Sequence, residues 1–160
     1  FIAESKLWGS YIIPQSFMIY SITSILTLIA SGFLVDKFTS RKLIPFMNVP
    51  LLFGLMVLYF YDISYSAYIF FGLMGVSNGL ANVLGSSTWA EIYGVRYLGA
   101  IRALTTALMV FSTAFGTALF GFFIDIGFTI ENIAVVSGTY IFSSIILLYL
   151  AQNKLNPHYL

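Results

Sequence analysis

Four small or polar residues recur at helical spacing near the middle of the chain. Gly75, Asn78, Asn82 and Ser86 are separated by 3, 4 and 4 residues, so a helix would carry them on one face. Carboxamides facing lipid are costly, so Asn78 and Asn82 must face protein or water. The face either lines a water-filled cavity and hydrogen-bonds a small solute, or bonds to a neighbouring helix. Asn78, Asn82 and Ser86 are therefore candidate cavity residues.

A second polar stripe lies earlier in the chain and has the same helical spacing. Its members are Tyr20, Ser24, Thr27 and Ser31. Hydroxyl groups can bond back to their own helix at little cost, so the stripe either lines a cavity or is structural. Tyr20 is its candidate for contact with a solute.

Ionisable groups are missing where coupling chemistry would need them. No Asp, Glu, Lys, Arg or His lies in the middle of a long apolar run. Proton coupling ordinarily uses such a group, so we expect it, and any cation that binds an anionic solute, to come from another part of the protein. The single histidine, His158, is expected to be inert in the tail. The chain has no cysteine, which excludes thiolate metal sites. One tail histidine and scattered carboxylates do not form the cluster that metal or acid–base chemistry needs, so no metal site, cofactor or enzymatic centre is expected.

The elements that position these side chains follow from the distribution of charge. Charge-free runs of 29, 19, 28, 22 and 22 residues separate the charged positions, and about 20 apolar residues cross a bilayer. The runs show no period of two, so helices rather than a β-barrel are expected. The sequence predicts an all-α membrane protein with spans at about 12–35, 43–61, 67–89, 103–124 and 133–150.

Composition and charge agree with this class. The 160 residues are 59% hydrophobic and 8% charged, against about 25% charged in soluble domains. A lipid bilayer is the expected surrounding, and without a Lys/Arg cluster no nucleic-acid partner is expected. Six basic residues flank one set of span ends and only Lys6 the other. The positive-inside rule therefore predicts a multi-pass protein with its N-terminus outside and its C-terminus cytoplasmic.

The turn between the first two predicted spans combines a glycine, an acid and three basic residues. They are Gly32, Asp36, Lys37, Arg41 and Lys42. The glycine would allow close helix approach, and the acid would pair with a cation or a helix N-terminus. The turn resembles the loop signature of the major facilitator superfamily, G-x-x-x-D-[RK]-x-G-x-[RK]-[RK], with Thr39 where glycine is usual. The alternative is a generic turn that obeys the positive-inside rule.

Two further segments resemble the same family. The segment from Glu91 to Arg102 is similar to the loop between its tenth and eleventh helices, most readily in members related to monocarboxylate porters. Glu91 and Arg102 could pair across this turn, or form a surface ion pair of little value. The fourth span resembles a G-P-x-x-G element around Gly116 and Gly121, although Thr117 replaces the proline. The alternative there is small-residue packing between helices.

The resemblance implies helices eight to twelve of a twelve-helix transporter, as part of a six-helix half. The chain begins with Phe1 rather than Met, and we expect a C-terminal fragment whose partner is the N-terminal half. The first and fourth spans would face that half. The implied function is secondary transport of a small solute, an organic anion by analogy, through alternating access. The resemblance also implies a location in the cell (inner or plasma) membrane. The alternative is a non-catalytic membrane subunit that packs against a partner.

Overall fold

The protein is an all-α membrane protein. The computed structural model describes residue 6 and residues 8–154, and no strand occurs within them. Five helical segments are long and apolar enough to cross a bilayer. His158 lies outside the described residues. The helices are α1 (Ile12–Lys37), α2 (Ser40–Leu43), α3 (Val49–Phe60), α4 (Tyr65–Tyr93), α5 (Leu98–Asp125) and α6 (Ile130–Lys154).

The five predicted spans are confirmed, but most helices are longer than the predicted ranges. The largest extension at a single helix end is at the start of α5, which begins at Leu98 instead of residue 103. A charge-free run marks only the segment that suits hydrocarbon, whereas backbone hydrogen bonding continues into the interface. Asp36, Lys37, Glu91 and Arg102 consequently lie on helices and not in loops.

The second span is interrupted near its start, as its two prolines predict. Pro45 lies in the single 3₁₀ turn Ile44–Phe46, and Pro50 is in the first turn of α3. Proline has no backbone N–H to donate and is tolerated at the beginning of a helix. The span from Ser40 to Phe60 is therefore α2, the 3₁₀ turn and α3 in succession.

Two glycines close the turns on either side of α5. Gly94 follows α4 with φ of 71°, and Gly127 follows α5 with φ of 89°. Left-handed backbone at the end of a helix strongly favours glycine. The connections can therefore stay short, and consecutive spans run antiparallel.

The closest helix packing in the molecule is between α1 and α4. A Cβ atom at Gly75 would lie 2.5 Å from the Tyr20 carbonyl oxygen, and one at Gly79 would lie 2.7 Å from the Ser24 carbonyl oxygen. Both distances are too short for any side chain, so the two helices meet backbone to backbone. Gly75-x-x-x-Gly79 is thus a packing motif of the small-residue type.

The remaining helices are less evenly packed. Helix α3 lies against both α4 and α6, whereas α5 contacts the others only slightly, mainly through α4, and none of its residues is buried. We call the end that carries Lys37, Arg41, Lys42, Arg96 and Arg102 the basic end. The end that carries Lys6, Asp62, Asp125 and Glu131 is the acidic end.

Candidate functional site

A continuous row of polar side chains runs along α4 from its middle towards the basic end. We call this row the polar seam; its members are Ser24, Asn78, Asn82, Ser86 and Arg102. Asn78 Nδ2 donates to Ser24 Oγ at 3.1 Å, and Asn82 Nδ2 donates to the Asn78 carbonyl oxygen at 2.9 Å. Ser86 Oγ donates to the Asn82 carbonyl oxygen at 2.9 Å and accepts a hydrogen bond from Arg102 Nη2 at 2.5 Å. The seam therefore joins α1, α4 and α5.

The seam contains both kinds of contact that the sequence left open. Asn78 is half-buried and bonds to α1, as an interhelical hydrogen bond requires. Asn82 is exposed, and its amide bonds only to backbone and to Asn78 among the described residues. Gly75, predicted to share this face, is buried against α1. Asn82 is thus the amide best placed to meet a solute.

On α1 the hydroxyl groups are largely satisfied by their own helix. Thr23 Oγ1 donates to the Ile19 carbonyl oxygen at 2.9 Å, and the buried Ser31 donates to the Leu28 carbonyl oxygen at 2.9 Å. Tyr20 is half-buried beside the α1–α4 crossing, with its ring edge-on to Phe17. Its position beside the seam keeps it a candidate. Of the other stripe members, Ser31 bonds to its own helix, and Ser24 accepts the hydrogen bond from Asn78.

The strongest polar cluster at the basic end joins the start of α2 to the end of α4. Glu91 Oε1 accepts a hydrogen bond from the Ser40 N–H at 2.9 Å, and Arg41 Nη2 donates to the Glu91 carbonyl oxygen at 3.1 Å. Arg41 Nε lies 3.9 Å from Glu91 Oε2. Beneath them, Thr88 Oγ1 donates to the buried Ser40 Oγ at 3.1 Å. A carboxylate thus caps the N-terminus of α2, which is favourable at the positive end of a helix.

This cluster corrects the predicted pairing of Glu91 with Arg102. Glu91 pairs instead with Arg41 of the preceding turn, fifty residues away. Arg102 turns towards Ser86 on α4. Spacing along the chain suggested a local pair, but the free N–H groups at the start of α2 compete for the carboxylate.

The other candidate residues of the first turn make few contacts within the described part of the chain. A Cβ atom at Gly32 would meet nothing within 4 Å among the described residues, so none of the described helices makes the close approach predicted for this glycine. Asp36 is exposed and forms no ion pair with any residue in the described part of the chain. Lys37 Nζ lies 5.4 Å from the centre of the Phe38 ring, and Lys42 is exposed.

A second charged cluster, which the sequence analysis missed, lies at the acidic end. Lys6 Nζ contacts Asp62 Oδ1, donates to the Leu58 carbonyl oxygen at 2.8 Å and lies 4.0 Å from Glu131 Oε1. Trp8 Nε1 donates to the Asp62 carbonyl oxygen at 3.1 Å. Among the described residues of this end, Lys6 is the only basic one beside three acids, and that imbalance was the available signal.

Apolar cavities lie away from the seam, towards the acidic end. The larger has a volume of about 580 Å³ and is lined by residues of all five spans, among them Phe70, Phe71, Phe120 and Ile133, with Ser137 as its polar residue. Its walls carry no charge and offer one hydroxyl, so they suit an apolar occupant. The predicted cavity residues Asn78, Asn82 and Ser86 do not line it.

Comparison of the chain with protein-family models, with curated proteins and with solved structures found no match.

Proposed function

We propose that this chain is part of a secondary transporter that moves a small solute across the membrane by alternating access. The observation that carries the proposal is the exposed amide of Asn82 on a transmembrane helix, three residues past the central residue Gly79 of α4. Polar groups at this depth are costly unless they face water or protein. A water-filled solute pathway would place the Asn82 amide against water and the solute instead of lipid.

The resemblance to the major facilitator superfamily supports the same proposal. In that family's terms the chain would supply helices eight to twelve of twelve, and the N-terminal half would be its partner. The uncovered surface of α5, which has no buried residue, is where such a half would dock. By the positive-inside rule the basic end is cytoplasmic, so the cluster of Ser40, Arg41 and Glu91 would act as a cytoplasmic latch.

Solute uptake tests the function directly. The full-length protein would be reconstituted in phosphatidylcholine vesicles, and uptake of labelled lactate, succinate, glucose and alanine measured. We expect at least one solute to accumulate and Asn82→Ala to lower its initial rate roughly tenfold, because a hydrogen bond made to the solute is lost. Asn132→Ala, at an exposed position at the acidic end, is the matched control and should transport normally.

Asp36 lies at the same basic end as the latch but outside it, and has its own expected effect on transport. Asp36→Asn should lower uptake without preventing membrane insertion, because a charge at the moving cytoplasmic turn is removed. Expression and insertion are measured beside uptake. Equal expression with unchanged uptake would remove Asp36 from the mechanism.

A non-catalytic membrane subunit is the second candidate, and the uncovered apolar surface of α5 favours it as well. Phe111 and Phe115 on this helix are 71% and 62% exposed, as an interface waiting for a partner would be. A photo-reactive residue at position 111 would capture that partner. A fixed partner at this position, together with no uptake of any of the four solutes, would favour the subunit over the transporter.

A further inference from the structure

Arg102 differs from the other basic side chains of the basic end because its guanidinium hydrogen-bonds to a member of the polar seam. Its Nη2 donates to Ser86 Oγ. Ser86 precedes the last residue of α4, Tyr93, by seven positions, which at 1.5 Å per residue is about 10 Å of helix. Arginines near the end of a span ordinarily extend towards the interface. Arg102 reaches in the opposite direction, along a transmembrane helix.

No carboxylate neutralises this guanidinium within the described part of the chain. Glu91, the acid on the neighbouring helix end, is occupied by the Ser40 N–H and by Arg41. Arg102 is exposed, and Ser86 is its side-chain hydrogen-bond partner among the described residues. A guanidinium has five N–H donors in a planar fork, so most of its donors are available beside the seam.

The groups next to Arg102 match a ligand with a charged end and a polar body. The fork of arginine fits a carboxylate with two parallel hydrogen bonds. Asn82 lies one helical turn before Ser86 on α4, nearer the middle of the helix, and is exposed. A small acid whose carboxylate lies at Arg102 would place its remaining polar atoms at Asn82.

We propose that Arg102, Ser86 and Asn82 form a binding site for the carboxylate of a small organic acid. The structure thereby supplies within this chain a cation for an anionic solute, which the sequence led us to expect elsewhere. That the bound acid also crosses the membrane rests on the proposed transport function; the binding site itself does not.

Binding measurements separate the two claims. The full-length protein in phosphatidylcholine nanodiscs would be titrated with acetate, lactate and succinate in chloride-free buffer, with the unfolding temperature as the readout. We expect a saturable rise with at least one acid. Arg102→Gln should weaken its apparent affinity about tenfold or more, because charge-assisted hydrogen bonds are lost, and Arg102→Lys should fall in between because it keeps the charge without the fork.

Arg96→Gln is the matched control, since Arg96 lies in the same connection but has its guanidinium 5.4 Å from the Tyr97 ring. It should bind like the unchanged protein. Equal affinity in the protein with Arg102→Gln, or no saturable rise with any of the three acids, would overturn the site.

A titration with anionic lipid distinguishes a free organic acid from a lipid headgroup as the anion that binds Arg102. Phosphatidylglycerol is added to the nanodiscs in place of the acids. Stabilisation by this lipid that requires Arg102, with no response to the acids in phosphatidylcholine, would assign the guanidinium to a headgroup and overturn the proposal. Arg102-dependent binding of an acid without uptake would keep the site and reject transport. Uptake that is unaffected by Arg102→Gln would keep transport and reject the site.

Discussion

Helices α4 and α5 have nearly the same length and are both apolar enough to cross a bilayer, but they are packed very differently. In their most apolar 18-residue windows, 28% of the residues of α4 are buried and none of those of α5. Both carry glycines at close spacing. Those of α4, Gly75 and Gly79, touch the backbone of α1, whereas Cβ atoms at Gly116 and Gly121 of α5 would meet nothing within 4 Å.

The difference shows that small residues permit a close helix contact but do not create one. Helix α1 meets the glycines of α4 with carbonyl groups that can approach closely, at Tyr20 and Ser24. Helix α5 has no such neighbour in the described part of the chain. Its hydroxyls, such as Thr113 and Thr117, bond back to their own helix, so α5 presents an apolar surface to lipid or to a partner protein.

A leucine at one glycine of each helix should give the largest contrast. Gly79→Leu would force α1 and α4 apart, because its Cβ alone would lie 2.7 Å from a backbone oxygen. We expect a loss of about 3 kcal/mol in the free energy of unfolding, the upper range for overpacking. Gly116→Leu enters open space and should change it by less than about 0.5 kcal/mol. Denaturation in detergent, followed by circular dichroism, measures both; equal losses would contradict the packing described for α4.

Acids near the ends of the two helices offer the next contrast. Glu91→Ala removes the cap of α2 and the partner of Arg41, and should lower the free energy of unfolding by about 1–3 kcal/mol. Asp125, the last residue of α5, is exposed and sits at the negative end of its helix. Asp125→Ala should therefore be neutral or slightly stabilising. The same denaturation assay applies, and a harmless Glu91→Ala would remove the latch as a structural element.

The smallest contrast concerns single hydrogen bonds. Asn78→Ala removes the bond to Ser24 and should cost about 0.6 kcal/mol, the mean for interhelical bonds in membranes. Thr113→Ala on α5 removes a hydroxyl that bonds only to its own helix among the described residues and should cost close to nothing. A double-mutant cycle of Asn78→Ala with Ser24→Ala isolates the interhelical term. A coupling energy of zero would mean that Asn78 does not bond to α1.

The sequence was sufficient for the class of fold and for part of the candidate site. Charge-free runs gave the five spans, and the periodicity of Asn78, Asn82 and Ser86 gave the face of α4 that carries the seam. The spacing of the glycines at positions 75 and 79 is the small-residue pattern of close helix packing, and it too can be read from the sequence.

Tertiary partners could not be predicted, because they depend on which helices become neighbours. Glu91 was expected to pair with Arg102, but the start of α2 brings unpaired N–H groups and Arg41 to the same carboxylate. Gly32 and Gly79 are the same residue type, and only the position of α1 relative to α4 distinguishes the open site from the contact. The contact of Arg102 with Ser86 likewise depends on how α4 and α5 lie beside each other, which spacing along the chain does not show.

The central claim is that the polar seam faces water inside the membrane while α5 faces lipid or protein. The chain has no cysteine, so single cysteines can be introduced into it without background once any cysteine in the rest of the full-length protein is replaced by serine. Asn82→Cys and Leu108→Cys, both at exposed positions, would be treated in sealed vesicles with a membrane-impermeant maleimide from either side. We predict that the cysteine at position 82 is modified from the side of the basic end and that the one at position 108 is not. Protection of position 82 from both sides would contradict a water-filled solute pathway.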